Sequence, residues 1–363
     1  MSDPVRLPLS APLPLRLRNL GASLAVVVLA VGVFSVVPHT QDRLATLYGW
    51  GSFTFTGYRF LWVAALLYGA GLAVFHALLH DPAEATKSVR FWRVVTVFLT
   101  SPAALIRQGL PPEDRVAVLA TLLKAFFGPL MALALMSFCT GAVEHGVEIV
   151  ASGAFAEGFR VLFDRHGFWF LMQLILFVDV LLFTIGYLVE SPRLGNQIRS
   201  VDPTLVGWAA AMLCYPPFNS VTSAVLGSQV SDFPQFDDPT AHLTLNLLLL
   251  GLMAVYASAS VALGWKASNL THRGIVARGP YALIRHPAYT CKNIAWWIGS
   301  IPMVSAAFHV SLFAGIQAFA SVVGWTMLYI LRALTEEDHL RGVDGDYAAY
   351  AAKVRYRFVP GVV

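Results

Sequence analysis

Charge is what this chain lacks. Only 13% of its 363 residues are Asp, Glu, Lys or Arg, while 57% are hydrophobic; a soluble domain carries about 25% charged residues. With a mean hydropathy of +0.64, this composition excludes an ordinary soluble domain and points to an integral membrane protein. Cysteine is scarce as well. Cys139, Cys214 and Cys291 sit in or beside apolar runs with no CxxC spacing. That excludes a disulfide framework and a zinc pattern and leaves them as small packing residues. His76, His80, His145, His166, His242 and His309 are scattered, so no metal site is expected. Internal repeats, heptad arrays and low-complexity segments are absent. The two halves show no matching Gly/Pro-broken helices, which argues against a transporter.

What the chain does have is a series of apolar runs of about 18 residues or more, the length that crosses a bilayer. They cover residues 20–37, 60–79, 116–143, 168–189, 205–226 and 243–265, followed by 294–308 and 310–331 as a tight helical hairpin. The first has no small-residue cleavage site behind it and reads as a retained transmembrane helix, not a signal peptide. Residues 91–106 are apolar but short, hold Arg93 and Pro102, and read as interfacial or re-entrant. The fifth run is interrupted by Pro216-Pro217 within Cys214-Tyr-Pro-Pro-Phe-Asn219, a break suited to shaping a lateral cavity. Polar residues inside the runs (Asp179, Asn246, Gln317) are read as interhelical hydrogen-bonding groups, with contact to a polar headgroup as the alternative.

The expected fold is therefore an all-α polytopic membrane protein with about eight transmembrane helices. Threading them in order puts Arg6, Arg16, Arg18, the basic 80–115 stretch, the 190–203 loop, the 266–288 connection and the C-terminal tail on one side. The acidic loops, 144–165 and the one holding Asp232, Asp237 and Asp238, fall opposite. Retained positive charge marks the cytoplasmic side, so both termini are expected there. High Ala, Leu, Val and Arg usage points to a bacterial inner membrane. Residues 1–240 are expected to form a transmembrane scaffold that shapes an acceptor site, and 241–363 a core carrying the chemistry.

That chemistry is expected around one loop, Gly279-Pro280-Tyr281-Ala282-Leu283-Ile284-Arg285-His286-Pro287-Ala288-Tyr289. Two prolines and Gly279 describe a shaped turn, and Pro287 disfavours helix at His286. Downstream, Arg332 and Glu336 are four apart at the end of an apolar helix and share a face. A carboxylate with Arg and Tyr donors at a membrane–water boundary can hold a zwitterionic or cationic ligand.

Arg285-His286-Pro287-x-Tyr289, preceded by Gly279-x-Tyr281, resembles the integral-membrane methyltransferases: the isoprenylcysteine carboxyl methyltransferases and phospholipid N-methyltransferases. Glu336-Glu337-x-x-Leu340, Gly345-x-Tyr347-x-x-Tyr350 and Val354-x-Tyr356-Arg357-x-x-Pro360 continue the likeness. It covers about residues 265–360. Where those enzymes often carry a small residue after the tyrosine, this chain has Thr290-Cys291-Lys292-Asn293. The resemblance implies S-adenosyl-L-methionine bound at the cytoplasmic ends of the C-terminal helices. Arg273, Gly274, Ile275, Val276, Tyr281, His286, Pro287, Ala288 and Tyr289 would line it, Glu336 would hold its amino end, and Arg332 would face the acceptor. Arg285 would anchor the loop. The implied activity is methyl transfer to a lipophilic, membrane-resident acceptor, without metal and without a nucleic-acid partner. Two other readings stay open. One is a nicotinamide-dependent reductase similar to the sterol reductases, which share an Arg-His-Pro-x-Tyr-like loop; the Glu336-Glu337 pair argues against it. The other is a non-catalytic membrane protein.

Overall fold

A membrane leaves the backbone no water to bond, so a chain this apolar must satisfy its amides within helices. The computed structural model describes residues 13–50, 52–78, 85–228 and 230–362 and has that character: an all-α polytopic membrane protein with only two minor two-stranded ribbons among the described residues. Leu79 and His80, and the N-terminal residues through Pro12 with Arg6, lie outside the described residues. Among the described residues, six helices are long and apolar enough to cross a membrane by length and composition: Pro14–Val36, Gly57–Leu78, Pro112–Ala151, Phe159–Leu188, Pro239–Lys266 and Leu312–Val343.

The chain divides into two compact units, Met1–Ala134 and Leu135–Val363. The expected division near residue 240 was one of role; the packing division falls earlier. In the first unit α1 (Leu13–Val36) packs on α3 (Gly57–Leu78). Between them come α2 (Gln41–Ala45) and a hairpin of β1 (Leu47–Trp50) with β2 (Phe53–Thr56). The short apolar stretch after α3 becomes α4 (Lys87–Thr100) and α5 (Pro102–Gln108), 14 and 7 residues long. Neither can cross a bilayer, and Pro102 marks the break. Thr86 caps α4 by accepting from Val89 N. Phe91 and Val94 form its buried face, and Trp92 Nε1 donates to Ala22 O of α1 at 3.0 Å.

The next helix, α6 (Pro112–Ala151), carries the chain into the second unit. There α7 (Phe159–Leu162) leads to α8 (Phe168–Leu188), β3 (Ser200–Val201), α9 (Leu205–Met212), α10 (Asn219–Leu226) and α11 (Pro239–Leu263). Then come β4 (Thr271–His272), α12 (Pro287–Val310), α13 (Leu312–Val343) and α14 (Asp346–Lys353). Ser311 alone separates α12 from α13, and its side chain caps α13 by accepting from Ala314 N at 3.0 Å. This is the expected hairpin, with α12 longer than the apolar run because its first turns are polar.

The fifth expected span needs correction. Residues 205–226 form not one helix but two of eight residues each, α9 and α10, because Pro216 and Pro217 withdraw backbone donors at the centre. The segment still runs from one end of the bundle to the other. At its start Ser200 Oγ lies 3.0 Å from His339 Nε2, near the C-terminus of α13. Further along, Gly227 O accepts from Trp325 Nε1 at 3.0 Å, and Phe233 stacks on Phe168 at the start of α8 with ring centroids 4.2 Å apart.

The end of the unit where α8 and α11 begin is held by apolar packing. Phe163, Phe168, Met172, Leu249, Leu250 and Met253 are buried together, with Trp169 and Phe233 against them. Asp238 caps α11 there by accepting from Ala241 N at 2.6 Å. Asn246 donates to Pro234 O at 3.0 Å and to His242 O of its own helix at 2.9 Å, so it ties α11 to the loop before it and not, as expected, to another helix. Gln317 is exposed instead. At the opposite end α8 stops against the loop after α11. A Cβ on Gly186 would overlap the Ala267 carbonyl, so only glycine permits that approach.

Candidate functional site

At this second end the chain turns back repeatedly, and a cavity of about 1340 Å³, its open mouth included, lies among the turns. Every residue that lines it belongs to the second unit. Arg273, Gly274, Ile275, Val276, Tyr281, His286, Ala288, Tyr289, Arg332 and Glu336 all reach its wall. Pro287 does not; it is the first residue of α12, where its missing N–H costs nothing.

The wall is assembled from three strips of backbone. First, β3 pairs with β4, Ser200 opposite His272 and Val201 opposite Thr271. Arg199 N donates to His272 O and Asp202 N to Leu270 O, each at 2.9 Å. Leu270 is held at φ +60°, an unusual backbone for a non-glycine residue of the kind found at sites. Second, the 279–286 loop pairs with the C-terminal tail: Arg285 N donates to Tyr356 O at 3.0 Å and His286 N to Arg357 O at 2.9 Å. Third, α13 supplies one face carrying Tyr329, Arg332, Glu336 and His339.

Arg332 is buried at 3% exposure and ringed by aromatic faces. Its guanidinium carbon lies 4.9 Å from the Tyr289 ring centroid, 5.6 Å from Tyr215 and 5.9 Å from Tyr329. One terminal nitrogen donates to Asn269 Oδ1, and Nε reaches Glu336 Oε1 at 3.4 Å. Asn269 is fixed in turn, its N–H donating to the Tyr187 hydroxyl at 2.7 Å and its Nδ2 to the Tyr215 hydroxyl at 3.3 Å. Glu336 is a quarter exposed. Its Oε1 accepts from the Tyr289 hydroxyl and from Arg332, while Oε2 takes no hydrogen bond from the described residues.

Its neighbour Glu337 has the opposite fate. It is fully buried, and Arg285 Nη1 (2.9 Å), Arg341 Nη2 (2.6 Å), Arg357 Nε (3.2 Å) and His286 Nε2 (3.2 Å) converge on it. Arg285 Nη2 also donates to Arg355 O at 3.1 Å, so this arginine anchors the loop. The His286 ring stacks on Tyr289 at 5.5 Å and 8°; its nitrogen serves the Glu337 knot. Arg273 is also structural. It donates to Asn196 O and Gly186 O at 2.8 Å and to Thr271 Oγ1 at 3.3 Å, tying α8 to β4.

Lys292, in the first turns of α12, also lines the cavity. Its ammonium lies 5.2 Å from the Trp296 ring, 5.7 Å from Tyr256 and 5.8 Å from Tyr329. Asp179 is buried beneath, accepting from the hydroxyls of Tyr256 (2.7 Å) and Ser260, and so bonds between helices as expected. Outside the spans, burial pushes the Tyr281 and Tyr350 phenols well above their ordinary value, with Glu336 adding to the effect on Tyr281. Both are neutral donors at any physiological pH. His272 is held below the ordinary histidine value, by burial first and by Arg199 and Lys266, although Asp344 2.7 Å away pulls the other way.

Spacing could not single out Asn269 or Tyr187, which reach Arg332 from separate elements, whereas Tyr329 stands three residues before Arg332 on the same helix face and was within reach of helical periodicity. Tyr215 did carry a signal, since it sits in the proline break read as a cavity former. No group of three or more His, Cys, Asp or Glu side chains set to hold a metal occurs among the described residues. Comparison with protein-family models, with curated proteins and with solved structures found no match.

Proposed function

We propose that the second unit is an S-adenosylmethionine-dependent methyltransferase core acting on a lipophilic, membrane-resident acceptor. The observation that carries this reading is the pair on one face of α13. Glu336 is a carboxylate with one oxygen open to the cavity, and one turn before it stands Arg332, caged by tyrosines. The donor set suits the group. An ammonium fits the open Glu336 oxygen, and aromatic faces with the shaped 273–276 turn suit a flat heterocycle. When bound, the cofactor supplies a methyl group on a sulfonium, transferred by in-line displacement.

The chain's own residues do the rest. Asn269 and the tyrosines fix the Arg332 guanidinium, whose remaining terminal nitrogen orients the acceptor. Tyr289 fixes Glu336. The Glu337 knot keeps the loop and the tail closed over the chamber, which excludes water and holds reactants at contact distance. We further infer a bacterial inner membrane with both termini cytoplasmic. In that reading α9, α10 and the turn between them contribute the acceptor side through Tyr215.

The test is calorimetric binding of S-adenosylhomocysteine and of NADPH to the detergent-purified protein. Saturable binding of the former, weakened about tenfold or more in Glu336→Gln at unchanged melting temperature, is the expected result. Binding of NADPH alone would overturn it in favour of a reductase, and equal S-adenosylhomocysteine affinity in parent and variant would remove Glu336 from its role.

A further inference from the structure

The rim of the cavity carries a feature that methyl transfer does not use. Arg199, Lys266 and Arg278 arrive from three different segments: the strand-forming turn before β3, the last residue of the Pro239–Lys266 span, and the loop before Gly279. Arg199 and Lys266 meet at Gly274, and Arg278 lies beside them, its Nη2 3.9 Å from where a Cβ on Gly264 would stand. A methyl placed on Gly274 would lie 3.2 Å from Lys266 Nζ and 3.5 Å from the Arg199 guanidinium carbon and Nη2. Arg199 and Arg278 are the charged neighbours that act on the Lys266 ammonium. The ion pairs described at this end involve Asp344, Glu336 and Glu337, and their partners are His272, Arg332, Arg285, His286, Arg341 and Arg357. Arg278 Nε bonds a carbonyl, Ala262 O, at 3.0 Å. Two cations therefore face one point and a third lies close enough to act on one of them, with no carboxylate paired to any of the three among the described residues. Like charges so gathered repel unless an anion joins them.

Gly274 makes the point a cradle. Its φ of +95° is one that other residues avoid, and the space a Cβ would fill is left open between the cations. Lys266 and Gly274 both line the cavity. The level is that of lipid headgroups: Lys266 ends a membrane-spanning helix beside Trp265, which is 45% exposed, and tryptophan marks that interface. A carboxylate, with two oxygens, is satisfied by one arginine fork. A guanidinium fork and an ammonium arriving from different segments, with a further guanidinium nearby, offer more donors than a carboxylate uses and suit the three terminal oxygens of a phosphate.

We propose that Arg199, Lys266 and Arg278, around the Gly274 cradle, form a phosphate subsite at the cavity rim. The phosphate belongs to a lipid headgroup or to a soluble phosphate compound, and the subsite stands independently of the methyl-transfer reading. The full-length protein in detergent is titrated with dihexanoyl phosphatidic acid, with dihexanoylglycerol, with inorganic phosphate, and with NADPH against NADH. A phosphate-bearing probe is expected to bind saturably and its phosphate-free counterpart to bind at least tenfold more weakly. R199Q/K266Q should weaken the preferred probe about tenfold or more, and R199K/K266R should retain most of the affinity. Preference for phosphatidic acid identifies a headgroup, and preference for NADPH or inorganic phosphate a soluble source. Gly274→Ala keeps every charge and fills the cradle; a matching loss of affinity would tie the subsite to this point and exclude bulk surface charge. Melting temperatures accompany each variant, and the charge pair carries the test where Gly274→Ala does not fold. No saturable binding of any phosphate probe to the parent overturns the proposal, as does equal affinity in R199Q/K266Q.

Discussion

The two ends of the C-terminal unit are made of different materials. Where α8 and α11 begin, Phe163, Phe168, Trp169 and Phe233 pack edge to face and face to face; Asn246 and Asp238 bond neighbouring backbone, and one ion pair, His242 with Asp164 at 3.2 Å, joins α11 to the turn before α8. Where α8, α11 and α13 finish, arginines, carboxylates and phenols are interleaved, several of them buried. Apolar packing is the cheaper way to hold helices together, since buried ion pairs often add little net stability. A bundle that has stability at one end from aromatic contacts and still gathers buried charge at the other has the arrangement that the proposed ligand site requires.

Within the charged end the same contrast recurs between two adjacent residues. Glu336 keeps an oxygen toward the cavity, whereas every direction around Glu337 is taken by protein. The largest effect is therefore expected from Glu337→Ala. It leaves three guanidinium groups and an imidazole facing an empty site, and breaking a buried network from one side costs about 3–5 kcal/mol. Thermal melting in detergent should show that loss together with release of the C-terminal tail to protease. A tail that stays protected would mean the backbone pairing at Arg285 and His286 suffices, and the knot is not the clamp.

Phe168→Ala comes next and tests the other end. The ring is fully buried against Phe163 and Phe233, so its removal should cost about 3–4 kcal/mol of stability. Affinity for ligands at the cavity should be unchanged where the variant remains folded. A weakened ligand with an intact fold would show that the apolar end sets the shape of the charged one.

The sequence made some of this contrast legible. Long apolar runs announce helices, and His309 between two of them announces the α12–α13 hairpin, although the break itself falls two residues later, at Ser311. Pro216-Pro217 announced a break, but only the contacts of Ser200, Gly227 and Phe233 show that the broken segment still runs the length of the bundle. The loop at 279–289 and the Arg332–Glu336 face were readable because four-residue spacing fixes a helix face. The division between Glu336 and Glu337 was not. The partners of Glu337 come from positions about 50 residues before it and 20 after, and helical periodicity cannot say which of two neighbouring carboxylates those segments will cover. Arg273 likewise reads as a ligand-facing cation in the chain, until the close approach at Gly186 brings carbonyls within its reach.

The smallest expected effect separates the ends most cleanly. Asp238 stands just outside the first turn of α11, with Pro239 behind it, and its carboxylate accepts from Ala241 N at 2.6 Å. It touches nothing at the cavity, because Tyr256, where α11 first meets the site, is 18 positions further along the same helix. Losing this cap in Asp238→Ala should lower stability by about 1 kcal/mol, seen as a small fall in melting temperature. The affinity of any ligand at the other end should stay within experimental error of the parent. Were affinity to fall with so slight a loss of stability, α11 would be transmitting a change along its whole length to Tyr256 and Ser260, and the two ends would have to be treated as one coupled element.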